Sequence, residues 1–298
     1  MRVPQIRQLH HAITDWFAQN GRDLPWRHPE ASAWSVMVSE FMLQQTPVVR
    51  VLPVWEEWMQ RWPTPADLAA EPAGEALRAW GRLGYPRRAL RLHAAATRIV
   101  EEHDGAVPRT PDELLALPGV GTYTAAAVAC FAFNQPEVVV DTNIRRVHAR
   151  LFTGRALPEP SYTAAEARLA ADLMPDDDAL ACRWNAAVME LGALVCTARS
   201  PKCDACPVAA SCAWIAAGQP APHYTPKGQP WAGTDRQVRG AFMAALRDAE
   251  APVPREALLR ADVVQSTGAP EEQRLRCLGS LLADGLAHEG PTGVSLPH

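Results

Sequence analysis

No stretch of this chain is apolar and uninterrupted for long enough to span a bilayer, which removes the membrane-spanning classes. The start, Met1 to Asn20, is amphipathic and contains Asp15, so it lacks the layout of a secretory leader, and the cytoplasm is the expected compartment. Internal repeats and low-complexity tracts are missing, which sets solenoids aside. An excess of positive charge is missing too: 29 Lys and Arg stand against 33 Asp and Glu, a formal net charge of −4. Nucleic-acid binding needs cations for phosphate, so the overall balance counts against it. Clustering weakens that objection, because binding depends on where the charges lie. Arg78, Arg82, Arg87, Arg88 and Arg91 are close together, as are Arg145, Arg146 and Arg150, while acid gathers at Asp176, Asp177 and Asp178. Such runs equally describe a solvated surface. Strand signals are scarce, and the β-branched run Val138 to Val140 is too short and isolated to imply a sheet.

What is present reads as helix. With 298 residues and 48% hydrophobic content, the chain can bury a sizeable core in one to three domains. Ile6, Leu9, Ile13, Trp16 and Phe17 have helical spacing over residues 7–19. Helices are expected over 34–43, 48–61, 89–102, 123–133, 143–151 and 164–173. Thr64-Pro65 and Thr110-Pro111 look like helix starts, with Pro in the first turn and acid following. Residues 219–233, rich in Pro, Gly and polar side chains, read as a linker. Beyond it, 236–249, 255–261 and 271–283 look helical, and 286–296 suggests a hairpin. The expected organisation is a mainly α domain over 1–218, the linker, and a small winged-helix-like module over 234–298.

Seven cysteines are present, and four fall in one segment, CTARSPKCDACPVAASC, as C-x6-C-x2-C-x5-C. Clustered cysteines in a cytosolic chain favour a metal over disulfides. Cys196, Cys203, Cys206 and Cys212 suit zinc or an iron–sulfur cluster, and their chemistry alone leaves both open. Cys130, Cys182 and Cys277 lie among apolar neighbours and read as small buried hydrophobes.

Three further segments carry chemistry. LPGVGTYTA, Leu117 to Ala125, places Gly119 and Gly121 between two helices, where backbone N–H groups and a helix N-terminus can face a phosphate. An ordinary turn between helices is the plainer alternative. VVVDTNIRRV puts Asp141 ahead of a helix with Asn143 and two arginines; it is at least a helix cap. VSEFMLQQTP sets Glu40 on an otherwise apolar helix. If buried, such a carboxyl would be raised in pKa and suited to general-acid work; if not, it is a surface glutamate.

Together these segments resemble the helix–hairpin–helix DNA glycosylases with an iron–sulfur cluster, the endonuclease III superfamily, and within it the MutY-type adenine DNA glycosylases. The resemblance covers roughly residues 5–215 and rests on DLPWR (Asp23 to Arg27), SEFMLQQT (Ser39 to Thr46), GRLGY (Gly81 to Tyr85), LPGVGTYTA and MELGALVCT (Met189 to Thr197). It implies a two-lobed glycosylase fold and a [4Fe–4S] cluster on the four cysteines. It further implies a monomer, associated with the nucleoid, acting on double-stranded DNA that contains an adenine mispaired with 8-oxoguanine or guanine.

Endonuclease III carries a lysine where this chain has Tyr123, and tyrosine cannot form a Schiff base. The resemblance therefore implies a monofunctional glycosylase. Base flipping would deliver the adenine. Glu40 would protonate the departing base, Asp141 would stabilise the sugar cation, and Tyr123 and Asn143 would orient Asp141 and the water. Gln45 and Tyr85 match residues that wedge into the base stack, with Thr46 and Leu83 beside them at the DNA. Arg27 matches a pocket residue. Gly119 and Gly121 would meet the phosphates, and the cluster loop would turn Arg199 and Lys202 toward the backbone. The chain departs from the pattern at Thr142, usually Gly, and at Pro86, commonly a second Tyr. At Ala186 the family has a Gln or Glu that contacts adenine. The tail is too short and too helical for the Nudix-like domain of larger members. The alternatives are a glycosylase/lyase like endonuclease III and a DNA-binding module without catalysis.

Overall fold

The computed structural model describes residues 3–225, 228 and 231–298. The expected linker includes residues 226, 227, 229 and 230, which lie outside the described residues. The chain forms two compact units. One comprises Met1–Val36, Arg109–Asp112 and Gly121–Lys227; the other comprises Met37–Pro108, Glu113–Val120 and Gly228–His298.

The first unit is built on the helices Val3–Asn20, Thr142–Thr153 and Asp178–Leu194, the third packing against both of the others. Each supplies an apolar stripe: Leu9 and Ile13 from the first, Ile144, Val147 and Leu151 from the second, Trp184, Ala187, Val188 and Leu191 from the third. These spacings of three and four place the side chains on one helix face. Asp141 caps the second helix through a bond from the Ile144 N–H (2.7 Å), and Asp177 caps the third through the Leu180 N–H (2.8 Å). Asp177 thus has a structural role that its acidic run did not suggest. At Gly192 an added Cβ would lie 2.7 Å from Asn143 Cβ and 2.9 Å from its carbonyl oxygen. Only glycine allows this approach between the two helices.

The sequence reading found no helix over 178–194. That helix is buried on several sides (Ala181, Cys182, Trp184, Asn185, Ala187, Val188, Glu190, Leu191 and Gly192), so no amphipathic period marks it.

The second unit contains Val48–Arg61, Pro65–Ala69, Ala73–Trp80 and Arg87–Glu102. Thr64 opens the short helix with a full capping box, its hydroxyl and the Asp67 carboxylate bonding each other's backbone N–H groups. Trp58 anchors this core in edge-to-face contacts with Trp62 (4.8 Å) and Trp80 (5.7 Å). The tail belongs to this unit and folds as Asp235–Asp248, Arg255–Leu259, Asp262–Gln265, Glu271–Ala283 and a two-stranded antiparallel hairpin, His288–Gly290 with Gly293–Ser295. Val253 bridges Val294, adding an extended residue to the hairpin. No helix among the described residues is long and apolar enough to cross a membrane.

Candidate functional site

In the first unit, Asp141 sits at the N-terminus of Thr142–Thr153, where the helix dipole favours negative charge. Its Oδ1 accepts from the Ile144 N–H and its Oδ2 from Asn143 Nδ2, both at 2.7 Å. Burial pushes the Asp141 carboxyl above the ordinary aspartate range, and the bonds from Ile144 and Asn143 draw it back. A half-buried, oriented carboxylate of this kind is suited to stabilising a cation in a water-poor site.

Asn143 is itself held. Arg146 Nη2 donates to Asn143 Oδ1 (2.7 Å) and to the Gly192 carbonyl (2.7 Å), while Nε donates to the Cys196 carbonyl (2.7 Å). With its oxygen occupied by Arg146, the Asn143 amide must present its NH2 to Asp141. Arg146 therefore orients the amide that orients the carboxylate. Arg146→Lys replaces a planar fork with a point charge that cannot span three acceptors. If Asp141 is the reacting carboxylate of a glycosylase, as the resemblance implies, base release at saturating enzyme is expected to fall roughly 10- to 100-fold with DNA binding retained, as for a small misplacement of a reacting group. An unchanged single-turnover rate would show that the fork does not matter.

The four-cysteine loop follows directly. Arg150 is buried at 3% exposure and donates to Cys196 Sγ (3.4 Å) and to the carbonyls of Thr197 (2.7 Å), Ala198 (3.1 Å) and Ala156 (2.9 Å). It also stacks on Trp214 at 4.7 Å. Cys196, Cys206 and Cys212 border the apolar core. Burial raises the Cys203 and Cys206 thiols, the latter to about 11, and the neighbouring thiols push both further. Four cysteine thiols on one loop held by Arg150 are a soft donor set that fits an iron–sulfur cluster. Arg199 and Lys202 are exposed on this loop.

Arg27, expected as a pocket residue, is held by Glu190. Glu190, fully buried, receives Arg22 through both Nε and Nη2 (2.7 Å each) and Arg27 through Nη2 (3.0 Å). Arg27 Nη1 is buried with no hydrogen-bond partner, so one donor is left over. Glu190 lies in ELGALVC on an apolar helix, the same pattern that singled out Glu40, and that signal could have found it. Tyr123 is partly buried against the cluster of Ala127, Cys130, Val139 and Cys182. Cys130, Cys182 and Cys277 are all buried.

In the second unit, Glu40 is buried at 6% exposure, so it is no surface glutamate. Gln45 and Tyr85 are exposed, and both adopt left-handed backbone conformations, with φ of 55° and 48°. Thr46 (6% exposed) and Leu83 (4%) were expected at the DNA surface and are buried instead. The Thr46 hydroxyl donates to the Leu83 carbonyl at 3.3 Å, so the pair ties two loops together.

Arg88 does more of the same work. From a buried position it donates to the carbonyls of Phe41 (2.9 Å) and Gln44, to Thr46 Oγ1 (3.2 Å) and to the Gly84 carbonyl (3.2 Å). Burial lowers its pKa to about 10. One member of the arginine run is thus a structural hub rather than a phosphate contact. Gly119 has φ of +80°, and a Cβ there would meet Arg91 Cβ at 2.6 Å, so glycine is required. Gly121 was grouped with it, but its φ of −101° is open to any residue.

A family model of the HhH-GPD superfamily of base excision DNA repair proteins matches residues 38–171, and one of the iron–sulfur binding domain of endonuclease III matches residues 196–212. A thermostable thymine-DNA glycosylase superposes with a TM-score of 0.64 at 28% identity, over 72% of this chain and 98% of that one. Endonuclease III in a non-covalent complex with DNA has the same fold, with a TM-score of 0.62 at 24% identity, over 73% of this chain and 98% of that one. Fold and cluster loop define a helix–hairpin–helix base-excision glycosylase with a [4Fe–4S] site.

The adenine DNA glycosylase of Mycolicibacterium smegmatis is 52% identical over 94% of this chain and 93% of that one. The human adenine DNA glycosylase is 42% identical over 70% of this chain and 40% of that one. The chain belongs to the adenine DNA glycosylase family.

Proposed function

We propose that this protein, as a monomer, removes adenine from double-stranded DNA by hydrolysing its N-glycosyl bond, where the adenine is mispaired with 8-oxoguanine or guanine. The observation that carries the reading is the Asp141–Asn143–Arg146 chain of hydrogen bonds, which holds a half-buried carboxylate at a helix N-terminus. The buried Glu40 protonates the departing base, which makes a neutral leaving group. Asp141 stabilises the oxocarbenium-like sugar as the bond breaks, the division of labour used by paired carboxylates in glycoside hydrolysis. Asn143 and Tyr123 hold Asp141 and the attacking water in place. The unpartnered Nη1 of Arg27 supplies a donor for the extruded nucleotide. Gln45 and Tyr85, exposed on loops fixed by Arg88, enter the base stack. Gly119 brings backbone N–H groups to a phosphate, and Arg199 and Lys202 meet the backbone. An iron–sulfur cluster, when bound, supplies no chemistry to hydrolysis beyond holding the loop of residues 196–212. The tail, we propose, is a winged-helix-like module beyond the glycosylase domain.

Strand cleavage through a Schiff base requires an amine, which endonuclease III supplies with a lysine where this chain has Tyr123. The chain has two lysines, Lys202 and Lys227, and neither replaces Tyr123. The test is base release from duplexes holding A opposite 8-oxoguanine, A opposite G, and A opposite T, with alkali to reveal abasic sites. The first two are expected to be cut after alkali, Glu40→Gln is expected to leave them intact, and borohydride is expected to trap no covalent complex. Intact mispairs with the native enzyme would end the adenine reading, and a trapped complex would replace it with a lyase.

A further inference from the structure

The segment of residues 78–87 holds an unusual loop between two helices. Gly81, Gly84 and Tyr85 have φ of 54°, 87° and 48°, three left-handed residues in five. A non-glycine residue in that region is costly unless the surroundings hold it. Part of the hold is local: Trp80 Nε1 donates to the Gly84 carbonyl at 2.9 Å, and Arg88 donates to the same oxygen. The loop presents Tyr85 half-exposed, at 51%.

The tail grips both stems of this loop. On the incoming side, Arg78 donates to the Arg247 carbonyl and to the Ala249 carbonyl (3.3 Å), which close the helix Asp235–Asp248. Earlier on the same stem, the Gly74 N–H donates to the Pro297 carbonyl at 2.8 Å, and a Cβ on Gly74 would fall 2.4 Å from that oxygen. On the outgoing side, Arg87 pairs with Asp284. Asp284 is held from within the tail by Arg239 at 2.6 Å, and Arg239 also bonds Ser280. Burial lowers the Arg247 guanidinium, and the nearby charge of Arg82 lowers it further. Every one of these contacts lies within the second unit.

We infer that the C-terminal segment 235–298 is a positioning clamp for the loop 81–86, with Asp284 and the carbonyls of Arg247 and Ala249 as its contact points, and that it governs how firmly Tyr85 engages DNA. A tail present only for stability would need contact with any part of the unit. This one takes hold of the residues two before Trp80 and two after Tyr85. Pre-ordering a strained loop removes an entropic cost from binding. Asp284, Arg239 and Arg78 are thus positioning residues that touch no DNA themselves.

The inference rests on the proposed role of Tyr85 at DNA, but its test needs no adenine release. The full chain is titrated against a duplex carrying a stable abasic analogue, with 2-aminopurine opposite it to report unstacking. Asp284→Ala is expected to weaken binding roughly 5- to 10-fold and to reduce the 2-aminopurine signal at saturation, while Asp284→Glu restores both. In a Tyr85→Ala background, Asp284→Ala is expected to have no further effect, because the clamp acts through that ring. Equal weakening in both backgrounds, or none in either, would overturn the inference. If Asp284→Ala does not fold, Arg239→Gln loosens Asp284 from the tail side and is read by the same two titrations. Failure of the adenine proposal appears separately, as tight binding to the analogue without base release from a mispair.

Discussion

Asp141→Asn is expected to lower adenine release by at least about a thousandfold while leaving the fold and DNA binding in place, the loss seen when a preorganised charge is removed from a developing transition state. The fold survives because asparagine is as good a helix cap as aspartate, and its oxygen can still accept from the Ile144 N–H. On the proposed mechanism the chemistry does not survive. The Oδ2 that receives Asn143 Nδ2 becomes an NH2, so donor faces donor, and no negative charge is left for the sugar cation. Single-turnover base release and gel-shift affinity, measured side by side, separate these outcomes. Activity within tenfold of the native enzyme would remove Asp141 from the mechanism. Because burial raises the Asp141 carboxyl, the native rate is expected to fall on acidification earlier than it would for an unperturbed aspartate.

Glu190→Ala is expected to be among the most destabilising single changes in the chain. The carboxylate is fully buried and is the shared partner of Arg22 and Arg27, so its loss leaves two guanidinium groups without their counter-charge. Breaking a buried pair costs about 3–5 kcal/mol, and the lower end applies because Arg22 is a third exposed. A fall in melting temperature of roughly 5–10 °C follows for a chain of this size. Burial alone would push the Glu190 carboxyl up, but the hydrogen bonds from Arg22 and Arg27 outweigh it and bring it to about 2. The folded state therefore holds its proton less tightly than the unfolded chain. The contribution is complete above the ordinary value of 4.5 and is lost as pH falls from there toward about 2. Melting curves of native protein and variant should differ most near neutral pH and converge below about 4.5. Identical curves at pH 7 would mean the triad contributes nothing.

Much of this site was legible before any coordinates. Glu40 stood out as a carboxylate in an apolar helix, and it is buried. Asp141 stood out as a cap, and it caps. The same rule applied to MELGALVCT would have exposed Glu190, but its partners lie about 165 residues away, beyond any local pattern. Arg88 was hidden for the opposite reason. It sits in a run of arginines that reads as surface, and only packing shows that one of them turns inward to bond five backbone or hydroxyl oxygens.

What the sequence determined by itself was local: helix starts set by Thr64 and Asp141, the spacing of the four cysteines, and the absence of a lysine at Tyr123. Each depends on chemistry within a few residues, where covalent spacing fixes geometry. Tertiary structure decided which polar side chains are held and by what. Arg146 reaches from one helix to the carbonyls of Gly192 and Cys196, Glu190 gathers two arginines, and the tail takes both stems of the loop before Tyr85. Such bonds join residues far apart in the chain. Their partners are chosen by burial, because a charge removed from water must find compensation wherever the fold brings it.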